Sequence, residues 1–247
     1  MQPQPSSPSI AIPIAIVVGF GMIAAAIFFS GVSDVPAGTA KVVPTDTAKE
    51  TRVRPVDDTD YIRGNPNAPI LVIEYSDYDC PFCKNFHETM TKVMEEYGVT
   101  GKVGWVYRQF PLVQLHPNAP RLSEAAYCAG DLGGTDAYWK FSDLIFSERE
   151  VNAQTNMTKL PDFATKAGLD KTKFNECLNS GKFTDKVEAS IAEGAAAGAQ
   201  GTPYSIVTVG GQQAVINGAQ PYAVVKDIIA NLVKQLEGGT AEVTPTS

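Results

Sequence analysis

Residues 69–83 read Pro-Ile-Leu-Val-Ile-Glu-Tyr-Ser-Asp-Tyr-Asp-Cys-Pro-Phe-Cys, so a short apolar run leads directly into two closely spaced cysteines. A proline-containing loop and Ser76-Asp77 bound the apolar run, which predicts a buried strand. Beyond the cysteines, large apolar residues recur at helical spacing, and Pro81 suits the first turn of a helix. We therefore expect Cys80 and Cys83 to lie where a strand ends and a helix begins.

The order of the remaining elements predicts the fold class. A second strand is expected over residues 103–110, which makes a right-handed strand–helix–strand unit. Residues 119–199 show no strand pattern, and we expect helices over 122–132, 139–147, 160–167, 171–179 and 183–199. Two short strands over 204–209 and 214–217 and an amphipathic helix over 222–236 complete the chain. This order predicts an α/β thioredoxin-like fold with a helical insertion at about 115–199.

The N-terminal region predicts attachment to a membrane. Residues 10–32 contain no charged side chain, and as a helix they would span roughly 34 Å, enough to cross a bilayer core. A cleaved signal peptide is the alternative, but residues 1–9 carry no Lys or Arg. We expect a short segment over 1–9, a single transmembrane anchor over 10–32, a flexible linker over 33–60, the folded domain over 61–236 and a loose tail over 237–247.

The net charge and the cysteine content indicate which partners and which cellular compartment to expect. The chain carries 20 Lys and Arg against 27 Asp and Glu, a net charge of -7, so no basic field is available for nucleic acid. Lys41 and Lys49, which follow the apolar stretch, weakly favour a cytoplasmic domain. The four cysteines favour an oxidising compartment instead, and we expect the domain to be extracytoplasmic.

The cysteine pair is the candidate catalytic site. At a helix start, unpaired main-chain N–H groups and the helix dipole stabilise a thiolate, so the pKa of Cys80 should be low. Cys83 lies one turn further on and should be shielded. We expect Cys80 to form a mixed disulfide with the substrate and Cys83 to resolve it. An inert local disulfide and a zinc site that includes His87 or His116 are the alternatives, and we expect no metal.

Two further cysteines lie on predicted helices of the insertion. A disulfide between Cys128 and Cys177 would close a loop of about 50 residues and stabilise the domain by roughly 4 kcal/mol. Free buried thiols and a second redox pair are the alternatives.

Several ordered motifs resemble the DsbA-type thiol-disulfide oxidoreductases, particularly their membrane-tethered or secreted bacterial members. The likeness covers about 61–236 and is carried by four segments, residues 64–69, 74–83, 107–112 and 201–203. The resemblance implies that Pro203 is a cis-proline whose loop, with Thr202, faces the cysteine pair and binds an extended substrate segment. It also implies that Glu74 is a buried acid that helps to move the proton of Cys83. An ordinary trans-proline and an exposed carboxylate are the respective alternatives.

One departure from the family concerns Phe82, since the best-known oxidases carry histidine between the cysteines. A phenyl ring cannot stabilise a thiolate electrostatically, which predicts a less oxidising disulfide. Phe82 and Tyr204 flank the expected exchange site, and together with Pro81 they are candidate substrate-binding residues.

These features predict an oxidase that passes its Cys80–Cys83 disulfide to reduced exported polypeptides and needs no cofactor of its own. The resemblance implies reoxidation by a quinone-linked membrane partner of the DsbB or vitamin K epoxide reductase type. A disulfide reductase or isomerase on the same fold, or a peptide-binding chaperone-like module, is the alternative function.

Overall fold

Two parallel strands form the centre of the sheet and carry the residues that lead into the cysteine pair. The computed structural model describes residues 53–238. Its five strands have the order β1-β3-β2-β4-β5, and β2 and β3 are parallel whereas β1, β4 and β5 run antiparallel to their neighbours. The strands are β1 (Ile62–Gly64), β2 (Ile70–Ser76), β3 (Val103–Gln109), β4 (Tyr204–Val209) and β5 (Gln212–Asn217).

Within residues 53–238, six α-helices accompany the sheet, and four of them form the predicted insertion between β3 and β4. They are α1 (Pro81–Glu96), α2 (Ala119–Glu148), α3 (Leu160–Lys166), α4 (Lys171–Ser180), α5 (Thr184–Ala196) and α6 (Tyr222–Gly238). The helices expected over 122–132 and 139–147 are the two halves of α2, which is interrupted at Gly134 (φ 72°, ψ -166°). A positive φ is inexpensive for glycine, so the chain changes direction there without unfolding either half.

The two faces of the sheet bury different partners. One face presents Val72, Trp105 and Val207 to α1, α6 and the insertion, within the larger hydrophobic cluster. The other face presents Ile73 and Val106 to a smaller cluster that includes residues after α5. Because side chains alternate along a strand, each residue of β2 is assigned to one of these two surfaces by its position alone. Glu74 follows Val72 by two residues and therefore lies on the α1 face.

A disulfide crosses the insertion. Cys128 in α2 and Cys177 in α4 are joined, with their Cα atoms 5.9 Å apart. The bridge ties the two helices through cysteines that are 49 residues apart in the chain.

The end of the predicted linker belongs to the folded domain, which corrects its boundary. Arg54 donates to Glu193 of α5 at 3.1 Å and to Asp60 at 2.8 Å, and Arg108 of β3 also binds Asp60. These ion pairs, together with packing of Val53 and Val56 against the smaller cluster, hold residues 53–60 on the domain.

The predicted anchor at 10–32 and the rest of the linker lie outside the described residues, as do the N-terminal segment and residues 239–247. Within residues 53–238, no helix combines the length and the apolar character that crossing a bilayer requires.

Candidate active site

The cysteine pair occupies the start of α1, as the sequence predicts. Cys80 is the N-cap residue with extended backbone angles, and Pro81 occupies the first helical turn. Both cysteines are free thiols, so the structure represents the reduced form. Cys83 has no exposed surface, whereas Cys80 retains 3% of its surface, and Phe82, two residues after Cys80, is 62% exposed. Of the two sulfurs, the one that an incoming thiol can approach from the surface is therefore that of Cys80.

The surroundings of the two thiols give them different pKa values. Hydrogen bonds from the Cys83 thiol, from Thr202 and from the main-chain N–H groups of Cys83 and Phe82 outweigh burial and lower the pKa of Cys80 to about 6. Burial raises the pKa of Cys83 well above its usual value, and the nearby charges of Cys80 and Glu74 add to this effect. At neutral pH Cys80 is a thiolate and Cys83 holds a proton, which is the division of roles expected for exchange and resolution.

A loop from the other end of the domain closes the site. The Thr202–Pro203 peptide bond is cis, and the Thr202 carbonyl oxygen lies 3.6 Å from the Cys80 sulfur. The loop therefore faces the reactive sulfur, where its main chain can pair with an extended peptide.

Tyr204 does not belong to this site, which corrects its assignment as a substrate-binding residue. Its hydroxyl donates to the Ala197 carbonyl at 3.3 Å, and its ring lies in the cluster on the opposite face of the sheet from α1. The alternation of side chains explains this placement, since the next residue, Ser205, pairs with Glu74 on the α1 face.

Glu74 is a buried acid, so the alternative of an exposed carboxylate at a strand end is excluded. The residue has no exposed surface, and its Oε2 accepts a hydrogen bond from Trp105 Nε1 at 2.8 Å. Burial raises the pKa of Glu74 to about 7, while the hydrogen bond from Trp105 and the nearby polar side chain of Ser76 partly oppose the shift. A carboxyl group with this pKa can both accept and release a proton near neutral pH.

Other polar side chains share this face of the sheet. Glu74 pairs in register with Tyr107 on one side and Ser205 on the other. Among residues 53–238, several atoms here are buried without a hydrogen-bond partner, namely Glu74 Oε1, Ser76 Oγ, Tyr107 OH, Gln109 Oε1 and Ser205 Oγ. Buried polar groups of this kind are normally satisfied by water, so this face of the sheet is polar beside the otherwise apolar packing of α1.

Asp77 organises the turn that precedes the cysteines. Its Oδ1 accepts from the Asp79 N–H at 2.8 Å, and its Oδ2 accepts from the Leu112 N–H at 2.7 Å and contacts His116 Nδ1 at 2.8 Å. The main-chain N–H of Asp77 points at the Cys83 sulfur at 3.5 Å. One buried carboxylate thus fixes the turn, the buried thiol and the loop that follows β3.

The insertion contributes residues that sequence reasoning missed. Arg149, at the end of α2, donates from Nη2 to the Cys80 carbonyl at 2.9 Å and from Nη1 to the Ala153 carbonyl at 3.0 Å. Thr155 donates to Asp79 Oδ1 through its N–H at 2.8 Å and its hydroxyl at 2.7 Å. No local motif marks these residues, because their partners lie 69 and 76 positions away in the chain.

Four exposed apolar side chains lie in segments that are bound to the turn at the cysteine pair. Phe82 lies two residues after Cys80, Val151 lies in the segment held by Arg149 and Thr155, and Val113 and Leu115 lie in the loop held by Asp77. Their exposed fractions run from 48% to 68%, which is high for large apolar residues. Such a surface beside a reactive group is suited to contact with another polypeptide.

The geometry does not support the zinc interpretation. His87 is buried, with Nε2 2.7 Å from Asp143 Oδ1, and His116 is bound to Asp77. Among residues 53–238, no three His, Cys, Asp or Glu side chains are grouped so as to hold a metal ion.

Comparison with known proteins agrees with this fold. A family model described as thioredoxin matches residues 56–231. The structure of α-DsbA1 from Wolbachia pipientis superposes with a TM-score of 0.63 at 24% identity, covering 73% of this chain and 94% of that one. This likeness shows that the predicted DsbA-type architecture is correct at the level of the fold.

The named relatives are matched over only part of their length. The Na(+)/H(+) antiporter NhaA 3 of Salinispora tropica is 29% identical over 154 residues, which are 62% of this chain and 22% of the antiporter. A Rickettsia felis protein, named provisionally as a protein-disulfide oxidoreductase, is 28% identical over 156 residues, which are 60% of this chain and 54% of that protein. The cysteine pair at a helix start, the cis-proline and the sheet order are consistent with this match. Because the family model matches more than half of the chain, the chain belongs to the thioredoxin family.

Proposed function

We propose that this protein is a thiol-disulfide oxidoreductase that donates its Cys80–Cys83 disulfide to reduced exported polypeptides. The observation that carries the proposal is the asymmetry of the pair. Cys80 retains 3% of its surface and has a pKa of about 6, whereas Cys83 has no exposed surface and its pKa is raised. A stable Cys80 thiolate favours the reduced form of the pair, and this makes the disulfide a good electron acceptor.

The reaction proceeds by two exchanges. A substrate thiolate attacks Cys80 Sγ, the Cys80–Cys83 bond breaks, and Cys83 leaves and takes a proton from Glu74. The second substrate thiolate then attacks the substrate sulfur of the mixed disulfide and releases Cys80 as a thiolate. The substrate loses two electrons and two protons. The protein sulfurs gain both electrons, and Cys83 keeps the proton from Glu74. One substrate proton then reprotonates Glu74, and the other goes to water because Cys80 stays ionised.

The site surface favours an unfolded polypeptide as the substrate. The main chain at Thr202 and Pro203 faces Cys80 and offers hydrogen-bonding groups that do not depend on the substrate sequence. Phe82 and the apolar residues around it add contacts that a partly folded chain, with its core still exposed, can satisfy. Together they suit many different substrates.

The proposal places the domain outside the cytoplasm, attached through the apolar residues 10–32. A disulfide between Cys128 and Cys177 supports this location, because structural disulfides persist mainly in oxidising compartments. After each turnover the pair requires an electron acceptor, and the proposed partner is a quinone-linked membrane oxidase of the DsbB or vitamin K epoxide reductase type. An anchor would keep the two proteins in the same membrane.

Two other functions are favoured by single observations. Phe82, which cannot stabilise the thiolate by charge, favours a reductase or isomerase on the same fold. The exposed apolar side chains around Cys80 favour a chaperone-like module that binds peptides without exchanging disulfides.

The reduction potential of the Cys80–Cys83 pair distinguishes an oxidase from a reductase. The full chain in detergent is equilibrated in graded glutathione buffers, its free thiols are trapped with a mass tag, and the tags are located by peptide mapping. A Cys80–Cys83 potential above about -200 mV supports the oxidase, and a value near about -270 mV supports a reductant. The Cys80→Ser variant is the control for signal from the other pair. Peptide binding that persists in this variant, together with no exchange in the parent protein, would replace the proposal by the chaperone-like module.

A further inference from the structure

Arg149 is a buried cation whose polar contacts within residues 53–238 include no carboxylate. It is 4% exposed, and its two contacts among the described residues are the main-chain carbonyls of Cys80 and Ala153. Its Nε is buried without a hydrogen-bond partner. A desolvated charge is costly unless an opposite charge offsets it, so this environment is unfavourable in the reduced protein as long as Cys80 carries its proton.

Two other arginines in the domain pair with carboxylates, which is the usual way to offset the charge of a buried guanidinium. Arg108, which is 2% exposed, contacts the carboxylates of Asp60 and Glu193. Arg63 contacts the carboxylate of Asp143. Arg149 alone among these three donates to carbonyl oxygens only, and one of those carbonyls belongs to the reactive cysteine.

The missing negative charge can come from the residue that the guanidinium already binds. The Cys80 carbonyl oxygen is 2.9 Å from Arg149 Nη2, and the sulfur that can carry the charge belongs to the same residue. We propose that Arg149 is a positioning residue that stabilises the Cys80 thiolate, and so supplies from the insertion the positive charge that Phe82 does not supply between the cysteines. This inference rests on the proposed function, since it concerns how the same site exchanges disulfides.

Other ionisable groups near the site do not replace Arg149. Lys84 donates its Nζ to the Phe146 carbonyl. The carboxylates of Glu74 and Asp79 are potential negative charges, and so they oppose a thiolate at Cys80. Arg149 is thus the cation bound directly to the cysteine residue itself.

The consequence for exchange follows from the second step of the reaction, in which Cys80 leaves as a thiolate. A cation that stabilises this thiolate makes Cys80 a better leaving group and favours the reduced form of the pair. Removing the charge should raise the pKa of Cys80 by about one unit, the lower end of the effect of a nearby opposite charge. The equilibrium constant for reduction of the disulfide by glutathione at about pH 7 should fall by about fivefold, because the ionised fraction of Cys80 falls with the rise in its pKa.

The test uses three substitutions at this position and one control in the full chain. Arg149→Gln keeps a hydrogen-bond donor without the charge, Arg149→Met removes both, and Arg149→Lys keeps the charge. Thr155→Val is the control, because it removes the hydroxyl contact to Asp79 from the same segment without changing any charge. The pKa of Cys80 is measured for each from the ultraviolet absorbance of the thiolate as a function of pH.

We expect Arg149→Gln and Arg149→Met to raise the pKa of Cys80 and Arg149→Lys and Thr155→Val to leave it close to the parent value. Equal shifts in Arg149→Gln and Thr155→Val would show a purely structural role, and an unchanged pKa in a folded Arg149→Gln variant would overturn the inference. If the neutral variants do not fold, nuclear magnetic resonance of the parent protein decides. The Nε–H signal of Arg149, assigned with Arg149→Lys, should titrate with Cys80, and a signal that does not follow Cys80 overturns the inference.

The failure of this inference and the failure of the proposed function give different results. A parent protein that exchanges disulfides, while Arg149→Gln leaves the pKa of Cys80 unchanged, overturns the role of Arg149 only. A parent protein that exchanges no disulfides overturns the proposed function, whatever the substitutions at Arg149 show.

Discussion

Trp105 donates its indole N–H to Glu74 Oε2 at 2.8 Å, and this contact holds one oxygen of a fully buried carboxyl group in place. The other oxygen, Oε1, has no hydrogen-bond partner within the part of the chain that the structure describes. The two residues lie on neighbouring parallel strands and on the same face of the sheet as α1. The sheet thus fixes the position of the carboxyl group while one of its oxygens makes no hydrogen bond to the described residues. This arrangement suits a group that must change its protonation state during each turnover.

Glu74→Gln should slow disulfide exchange because glutamine neither accepts nor releases a proton. Cys83 then has no internal proton source when it leaves the disulfide and no internal base when the pair is reoxidised. We expect the exchange rate with a model dithiol to fall by about tenfold to a hundredfold. A kinetic step with a pKa of about 7 should disappear from the pH profile of the rate. Glu88→Gln, at an exposed position of α1, is the matched control, and a profile that still shows this step would assign it to another group.

The same substitution should stabilise the folded protein at alkaline pH. Burial raises the pKa of Glu74 from 4.5 to about 7, so the folded state holds this proton after the unfolded state has lost it. The contribution of the protonated form is fully present below about pH 4.5 and is lost as the pH rises through about 7. Glu74→Gln avoids this loss, and at about pH 8 we expect it to be more stable by about 3 kcal/mol.

Urea unfolding at several pH values measures this difference. The advantage of Glu74→Gln over the parent should grow between about pH 4.5 and pH 7 and then level off. A constant difference across this range would mean that packing of the amide, and not ionisation of the carboxyl group, determines the change in stability.

The sequence predicts the parts of this site that depend on neighbours in the chain. Periodicity and the position of Pro81 place Cys80 and Cys83 correctly at a helix start, because a strand and a helix are local patterns. The contact of Arg149 with Cys80 depends on how the insertion folds back over 69 residues, and no local pattern encodes it.

The sequence did not predict β1 or the attachment of residues 53–60 to the domain, for related reasons. β1 has only three residues, Ile62–Gly64, which is too few to show alternation, and its pairing with β3 defines it. Residues 53–60 have the polar composition of a linker, yet tertiary ion pairs of Arg54 with Asp60 and Glu193 hold them on the domain. Composition reports the tendency of a segment and not the partners that the fold brings to it.

Removing the disulfide of the insertion should cost stability without changing the chemistry of Cys80. Cys128 and Cys177 are 49 residues apart, and loss of the cross-link should destabilise the domain by about 4 kcal/mol according to the chain-entropy treatment. The Cys128→Ala, Cys177→Ala double variant is compared with the parent by urea unfolding and by its glutathione equilibrium. An unchanged Cys80–Cys83 potential is expected, and a shifted potential would indicate that this second pair takes part in electron transfer.

Phe82→His should make the disulfide more oxidising. The side chain is 62% exposed, so the substitution perturbs little packing and places an imidazole between the two cysteines. A protonated imidazole there stabilises the Cys80 thiolate, and screening by solvent limits the expected decrease in the pKa of Cys80 to about half a unit to one unit. The reduction potential should rise by about 15 to 30 mV. Phe82→Asn is the control, since asparagine is polar and cannot ionise. If both variants shift the potential equally, the loss of the phenyl ring, and not the charge of histidine, determines the redox properties at this position.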